Sequence, residues 1–342
     1  MTPSCVTFGE VMLRLDPEDG ARLVQAGSFE VRFTGAEANV AASLAQFGVS
    51  AAVVSAVPDH ALGDAALAFL RRFGVDVRNV VRGPGRLGLL YVETGGAGRP
   101  GEVIYDRANS LFALTAPEAY DWTAILDGQD WLHVSGTAAA VGAASAAALD
   151  SALSAAHRAG VTVSLDVNYR ARLWDNNQAG HALRPLLDRV DVLLGLGGEA
   201  VSMLGLAAPA GWAAGEPLSS SQLAAAAEDA RERFGLTAVA SIDRCPGSGG
   251  AVMLRGLLST ATGTVTSRAH PVLDQRGRVG TGDAYAAGLI RGLLLGSQPQ
   301  DAVEFAAAAA HLKQSVAGDI NIASVAEVEY AANETSPARL RR

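Results

Sequence analysis

From Trp131 onward the chain alternates short apolar runs with longer helical stretches, and no other feature limits its fold as tightly. Residues 131–134 read as a strand, 143–159 as a helix, 161–166 as a strand and 178–189 as a helix. Strand 191–194, helix 221–234 and strand 238–241 continue the series. Strands separated by helices of this length imply a parallel sheet covered on both faces. Ligands of such sheets bind beyond the carboxyl ends of the strands. Asp166-Val167-Asn168-Tyr169-Arg170 lies at such an end, so a site is expected there.

The first third of the chain adds a second pattern. Residues 6–15 read as an opening strand that leaves the core at Gly9, followed by a turn at 16–20. Residues 51–57 form a buried strand by their β-branched content, and 61–73 an amphipathic helix. The runs 29–33, 87–93 and 102–107 alternate apolar and polar residues, and the last two are joined as a hairpin through Gly95-Gly96-Ala97-Gly98. Together they predict a small sheet standing off the main body, carrying Tyr91, Tyr105 and Arg107. Tyr105 and Arg107, two residues apart, share one face. Arg107 reads either as a partner for a carboxylate or phosphate or as a surface arginine. Residues 205–221 are a surface loop, and those from 335 on a frayed tail.

A length of 342 residues allows one elaborated domain or two small ones. No apolar run is long enough to span a bilayer, and the N-terminus lacks a basic segment followed by an apolar one, so neither a membrane partner nor a signal peptide is expected. Cys5 and Cys245, far apart and without metal spacing, predict free thiols in a reducing cytoplasm. A net charge of −8 argues against non-specific nucleic-acid binding, which depends on phosphate neutralisation.

Chemistry concentrates in Gly280-Thr281-Gly282-Asp283, which runs directly into an apolar helix. The glycines let backbone N–H groups approach a ligand without a Cβ in the way. The helix N-terminus adds unpaired donors and the positive dipole end, which suit a phosphate. Asp283 is a poor partner for that anion unless it takes a proton from a hydroxyl beside it; otherwise it is a helix cap. Phosphoryl transfer onto an alcohol follows from the first reading. Earlier, Gly35-Ala36-Glu37-Ala38-Asn39 ends a strand and opens a helix, with Glu37 and Asn39 facing a polyol or capping the helix. There is no Gly-Lys-Ser/Thr phosphate loop and no Gly-x-Ser-x-Gly elbow. Gly195-Leu196-Gly197-Gly198-Glu199-Ala200 fits the loose dinucleotide pattern, but it comes late in a chain with 38 glycines.

The early Gly35–Asn39 run and the late Gly280–Asp283 run together resemble the ribokinase-like (PfkB-type) carbohydrate kinases, over roughly residues 6–329. Within that family the chain is most similar to 2-keto-3-deoxygluconate kinases, through residues 35–39, Tyr105-Asp106-Arg107, 166–174 and 312–321. The resemblance implies a three-layer α/β/α fold with a mainly parallel sheet and a small β-sheet lid. It implies one kinase domain over 1–334, with lid strands within 10–34 and 86–108, and a tail at 335–342.

The resemblance also implies roles. Asp283 is the expected base on the sugar's primary hydroxyl, with the N–H groups of Gly280, Thr281 and Gly282 holding the transferring phosphoryl charge. Gly35, Ala36, Glu37, Asn39, Tyr91, Tyr105, Arg107, Arg170 and Asp319 are expected around the sugar, where a planar guanidinium suits the carboxylate of a keto-deoxy acid. Asn168, Arg170, Ser241, Gly280 and Gly282 are expected at the nucleotide, and Glu199 at a metal. Mg-ATP is the implied donor, with a monovalent cation such as K+ near the anion hole, and the lid is expected to double as a homodimer interface. Fructose, ribose or an aminoimidazole riboside are alternative substrates, and a sugar-binding member with weak or no catalysis is an alternative to an active enzyme. Two departures motivate the last reading. Leu196 stands where the family has Asn, three residues before Glu199, and Gln275-Arg276-Gly277 is inserted after Asp274.

Overall fold

The computed structural model describes residues 2–95, 99–272 and 279–333. Asp274, the Gln275-Arg276-Gly277 insertion, Gly96 to Gly98 of the hairpin loop and the tail at 335–342 lie outside the described residues. Fourteen strands are described: β1 (Ser4–Phe8), β2 (Met12–Pro17), β3 (Phe29–Thr34), β4 (Ser50–Pro58), β5 (Val80–Gly83), β6 (Gly88–Glu93) and β7 (Glu102–Asp106) in the first third. They continue with β8 (Trp131–Ser135), β9 (Thr162–Asp166), β10 (Val192–Leu194), β11 (Ala238–Pro246), β12 (Val252–Thr260), β13 (Gly263–Thr266) and β14 (His270–Pro271).

The main sheet runs in the order β13-β12-β11-β10-β9-β8-β1-β4-β5, with β14 paired to β12. Every pairing from β11 to β5 is parallel. The pairings of β12 with β11, β13 and β14 are antiparallel. The alternation read from the sequence accounts for the parallel part, and the antiparallel edge is additional to it. One apolar layer packs on each face. The helices Ala36–Gln46, Ala61–Arg71, Thr281–Leu294 and Pro299–Lys313 bury residues such as Leu44, Leu70, Leu289 and Val303 on one side. The helices Ala143–Ala159, Asn176–Leu183 and Ser220–Phe234 bury Leu149, Leu183 and Leu223 on the other.

Two boundaries differ from expectation for local reasons. The opening strand is two strands, β1 and β2, because the chain leaves the main sheet at Gly9 and enters the lid. The helix expected over 178–189 is α-helical only from Asn176 to Leu183 and 3-10 from Arg184 to Arg189. Pro185 has no N–H to continue the α ladder.

The helix Thr281–Leu294 is held against Pro299–Lys313 at very close range. A Cβ on Gly288 would lie 2.8 Å from the Ala306 Cα, and one on Gly292 2.8 Å from the Ala302 Cβ. Residues four apart occupy one face of a helix, so this pair of glycines forms a flat contact with two alanines.

The lid is a four-stranded sheet in the order β3-β2-β6-β7, lying over the carboxyl ends of the parallel strands. Its two faces have different tasks. Met12, Leu90, Val92, Val103 and Tyr105 cluster on the face toward the body. Register puts Val31 opposite Leu15, Leu15 opposite Tyr91 and Tyr91 opposite Ile104 on the other face.

Candidate active site

Gly280 caps the N-terminus of the helix Thr281–Leu294 with φ 82°, a region that L side chains rarely adopt. A Cβ there would fall 1.9 Å from the Asp319 carbonyl oxygen. Conformation and space therefore both require glycine, and the backbone of Asp319 lies directly against the turn. The positive end of this helix's dipole lies at the turn, a place that suits an anion.

Asp283 stands in the first turn of this helix. Asn39, in the helix Ala36–Gln46, donates from Nδ2 to its Oδ2 at 2.7 Å. Burial pushes the Asp283 carboxyl up to about 7; the Asn39 hydrogen bond and Arg170 pull it down, and the nearby Asp166 and Asp319 carboxylates add to the rise. A carboxylate of that basicity takes up a proton readily near neutral pH.

The lid side of the cleft is built from buried ion pairs. Arg107 binds Glu10 through Nε at 2.7 Å, with the Tyr105 ring 5.7 Å from its guanidinium carbon. Arg14, on β2, is paired with Asp16 at 2.6 Å and with Asp319. Arg107–Glu10 and Arg14–Asp319 each join the lid region to the body of the protein, and Arg14–Asp16 lies within β2. A third tie is Arg172, which donates to the Val103 carbonyl of β7 at 2.5 Å. Glu37 is buried behind this region and accepts from the Ser135 hydroxyl at 2.5 Å, and burial pushes it to about 7. Glu10 Oε1, Asn39 Oδ1 and Asp319 Oδ2 are buried acceptors with no hydrogen-bond partner among the described residues. Such orphans call for donors, and the hydroxyls of a polyol supply them.

The other half of the cleft lies at the ends of β9, β10 and β11. Asp166 Oδ1 accepts the Asn168 N–H at 2.9 Å, and Asn168 has a φ of 41°. Arg170 is exposed in the cleft, and its guanidinium donates to the Tyr169 carbonyl at 3.1 Å. Glu199, at the start of the helix Gly198–Leu204, also faces the cavity. Leu196 is buried in the core, so no side-chain oxygen stands at that position. Among the described residues no cluster of three or more His, Cys, Asp or Glu side chains is assembled. The carboxylates lining this end are Asp166 and Glu199. That sparse oxygen set suits Mg2+, which keeps several waters and is held by one or two carboxylates together with substrate phosphates.

Apart from Asp16, Ser135 and Leu196, these residues line one cavity of about 950 Å³, large enough for two small ligands side by side. It brings together Gly35, Ala36, Glu37, Asn39, Tyr105, Arg107 and Asp319, the residues expected around the sugar. Gly280, Thr281, Gly282 and Asp283 lie between, with Asn168, Arg170 and Glu199 beyond. Two expected residues do not line it. Tyr91 lies on the outer face of the lid, where its ring meets Phe29 edge-on at 6.1 Å. The Ser241 hydroxyl is buried and donates to the Leu196 carbonyl at 2.6 Å. Glu10 and Arg14 are among the lining residues that the sequence did not point to. Glu10 follows β1 at its carboxyl end, and the rule that drew attention to Asp166 applies equally there.

The pfkB family carbohydrate kinase model matches residues 2–325. A 2-dehydro-3-deoxygalactonokinase of Haloferax volcanii is 33% identical over 329 residues, covering 96% of both chains. A 2-dehydro-3-deoxygluconokinase of Bacillus subtilis is 29% identical, covering 94% of this chain and 92% of the other. The crystal structure of a 2-dehydro-3-deoxygluconokinase from Thermotoga maritima superposes with a TM-score of 0.90 at 38% identity, covering 98% of this chain and 99% of that one. The cleft between lid and parallel sheet, the glycine-capped helix start with its basic carboxylate and these likenesses agree: the chain belongs to the pfkB family of carbohydrate kinases, and it is an ATP-dependent sugar kinase.

Proposed function

We propose that the acceptor is a 2-keto-3-deoxy sugar acid, phosphorylated at its terminal primary hydroxyl with Mg-ATP as donor. The carrying observation is the placement of Asp283, raised to about 7, at the N-terminus of the anion-binding helix and within one cavity with Arg107 and Arg170. The hydroxyl oxygen attacks the γ-phosphorus and gives its proton to Asp283, while the bond to the departing ADP oxygen breaks. The N–H groups of Gly280, Thr281 and Gly282 face the charge that spreads over the phosphoryl oxygens, and positioning with electrostatics does most of the work in such transfers.

Arg170 is exposed in the cleft, donates to the Tyr169 carbonyl, and sits where either a carboxylate or a phosphate is reached. Arg107 is already neutralised by Glu10, so it acts through its remaining N–H groups and by holding Glu10 in place. Glu199 and Asp166 would hold Mg2+, which supplies charge neutralisation on the transferring phosphates when bound. The relatives that act on keto-deoxy acids support the substrate class.

We also propose a homodimer through the lid. The outer lid face carries a cross-strand apolar row, Val31, Leu15, Tyr91 and Ile104, in which Val31 is 57% and Ile104 41% exposed. Apolar residues of this kind in a row mark an interaction surface. A coupled ADP-release assay tests the substrate. The panel is 2-keto-3-deoxygluconate, its galactonate epimer, fructose, ribose and an aminoimidazole riboside. The keto-deoxy acids are expected to lead in kcat/KM by about 100-fold. A neutral sugar as the best acceptor overturns the substrate assignment and leaves the phosphoryl-transfer chemistry standing.

A further inference from the structure

Lys313 is the last residue of the helix Pro299–Lys313, and its side chain is fully buried. An unpaired ammonium in that position is costly, so its partners define its purpose. Nζ donates to the Gly318 carbonyl at 2.7 Å and to the Val316 carbonyl at 3.2 Å. Both carbonyls belong to the turn after the helix. That turn continues into Asp319, whose carbonyl oxygen occupies the space beside Gly280 that a Cβ would take. The buried charge therefore sits on the far side of the same short segment that forms the back wall of the anion-binding turn. Gly318 adopts a φ of 80°, and the Asp319 carboxylate pairs with Arg14 of the lid.

A cation bound by backbone carbonyls is the arrangement proteins use for monovalent metal ions. Here the cation is covalently part of the chain. We propose that Lys313 is a built-in monovalent cation. It gathers the carbonyls of Val316 and Gly318, fixes the turn against Gly280, and adds positive potential behind the anion hole. It is a positioning residue, since it touches neither the sugar nor the reacting phosphate. Among the described residues, Asp319 and Asp283 favour the ammonium and Arg14 and Arg32 oppose it; burial lowers it to about 8, which leaves it mainly charged at neutral pH. The kinase therefore needs no added K+ in the place near the anion hole where the resemblance implied a monovalent cation.

The proposal rests on phosphoryl transfer at Gly280–Asp283 and is independent of which sugar is used. The test compares wild type with Lys313→Ala and Lys313→Met in buffers of equal ionic strength containing K+, NH4+, Na+ or tetramethylammonium. Wild-type kcat is expected to be the same in all four. Lys313→Ala leaves room for a small ion, so it is expected to lose about 100-fold in kcat. It should regain at least tenfold with K+ or NH4+ and nothing with tetramethylammonium. Lys313→Met fills the space with a thioether and is expected to lose activity without rescue. A second readout needs no acceptor: the melting temperature of Lys313→Ala should rise with K+ or NH4+ and stay flat with tetramethylammonium, while wild type ignores all of them. A wild-type requirement for K+ overturns the proposal. So does full kcat in Lys313→Met, or a folded Lys313→Ala that responds to no small cation in either readout. Silence of wild type with every acceptor fails the kinase reading instead, and the melting experiment still decides the role of Lys313.

Discussion

The pH dependence of turnover follows from the surroundings of Asp283. Its carboxyl is raised from 3.8 to about 7 by burial, against the opposing hydrogen bond from Asn39. Only the ionised form accepts the substrate proton, so kcat/KM should fall on the acid side with a midpoint near pH 7. At pH 6 a base of this kind is about one-tenth ionised, and at pH 8 about nine-tenths, so the rates should differ by about tenfold. An ordinary carboxylate would be almost fully ionised at both values and the profile flat. Asn39→Ala removes a hydrogen bond that favours the charged form. Such bonds to charged groups contribute about 1.5–3 kcal/mol, and one pKa unit corresponds to about 1.4 kcal/mol. Because the cleft is partly open to solvent, the low end applies, and the midpoint should rise by about one unit. At pH 7 the ionised fraction then drops from about one-half to about one-tenth, an approximately fivefold loss beyond any change in the plateau. The assay is kcat/KM by coupled ADP release from about pH 5.5 to about pH 9. A wild-type profile flat over that range, or an Asn39→Ala midpoint that fails to move upward, refutes the reasoning.

Three further outcomes are expected. Asp283→Asn should lose at least about 1,000-fold in kcat yet melt at a higher temperature than wild type; since the folded carboxyl binds its proton more tightly than the unfolded one, wild type loses stability as pH rises from 3.8 through about 7. The melting advantage should thus be full above neutrality and vanish near pH 4. Gly280→Ala places a Cβ 1.9 Å from the Asp319 carbonyl oxygen at a φ of 82°, and kcat should drop by about 100-fold; near-normal turnover would show that this turn does not hold the phosphoryl group. Arg107→Ala strands the buried Glu10 carboxylate and should cost about 3–5 kcal/mol in a urea melt; adding Glu10→Gln should recover more than half of that stability while the sugar KM stays high.

The parallel sheet was legible because apolar runs and helical stretches recur at regular intervals from Trp131 to Ser241. The edge formed by β12, β13 and β14 was not, since Gly256 and the Ser and Thr residues around it blur any period; in the structure Gly256 makes room for the Tyr285 ring. Alternation in β6 showed that Tyr91 and Leu90 face opposite ways, but a strand pattern does not say which face turns inward. Tyr91 accordingly proved to be an outer-face residue. The Gly280–Asp283 turn was readable because its chemistry is local. The pairs Arg107–Glu10 and Arg14–Asp319 join residues 97 and 305 positions apart, and nothing in the local sequence announces such a partner. Ser241 was placed at the correct strand, but whether its hydroxyl faces the cleft or the Leu196 carbonyl is decided by the turn after β10.

The contact of Gly288 and Gly292 with Ala306 and Ala302 has an evolutionary consequence. Asp283 rides on the same 14-residue helix, so this contact sets the height of the base above the cleft floor. A single added methyl group at either glycine would push the helices apart and tilt the base as one end of a lever. Drift is thus confined at these four positions, none of which meets a ligand. The lid has no such constraint on its outer face. New acceptor preferences should therefore accumulate as changes in the lid, while the end of the cleft that handles phosphate is inherited nearly unchanged.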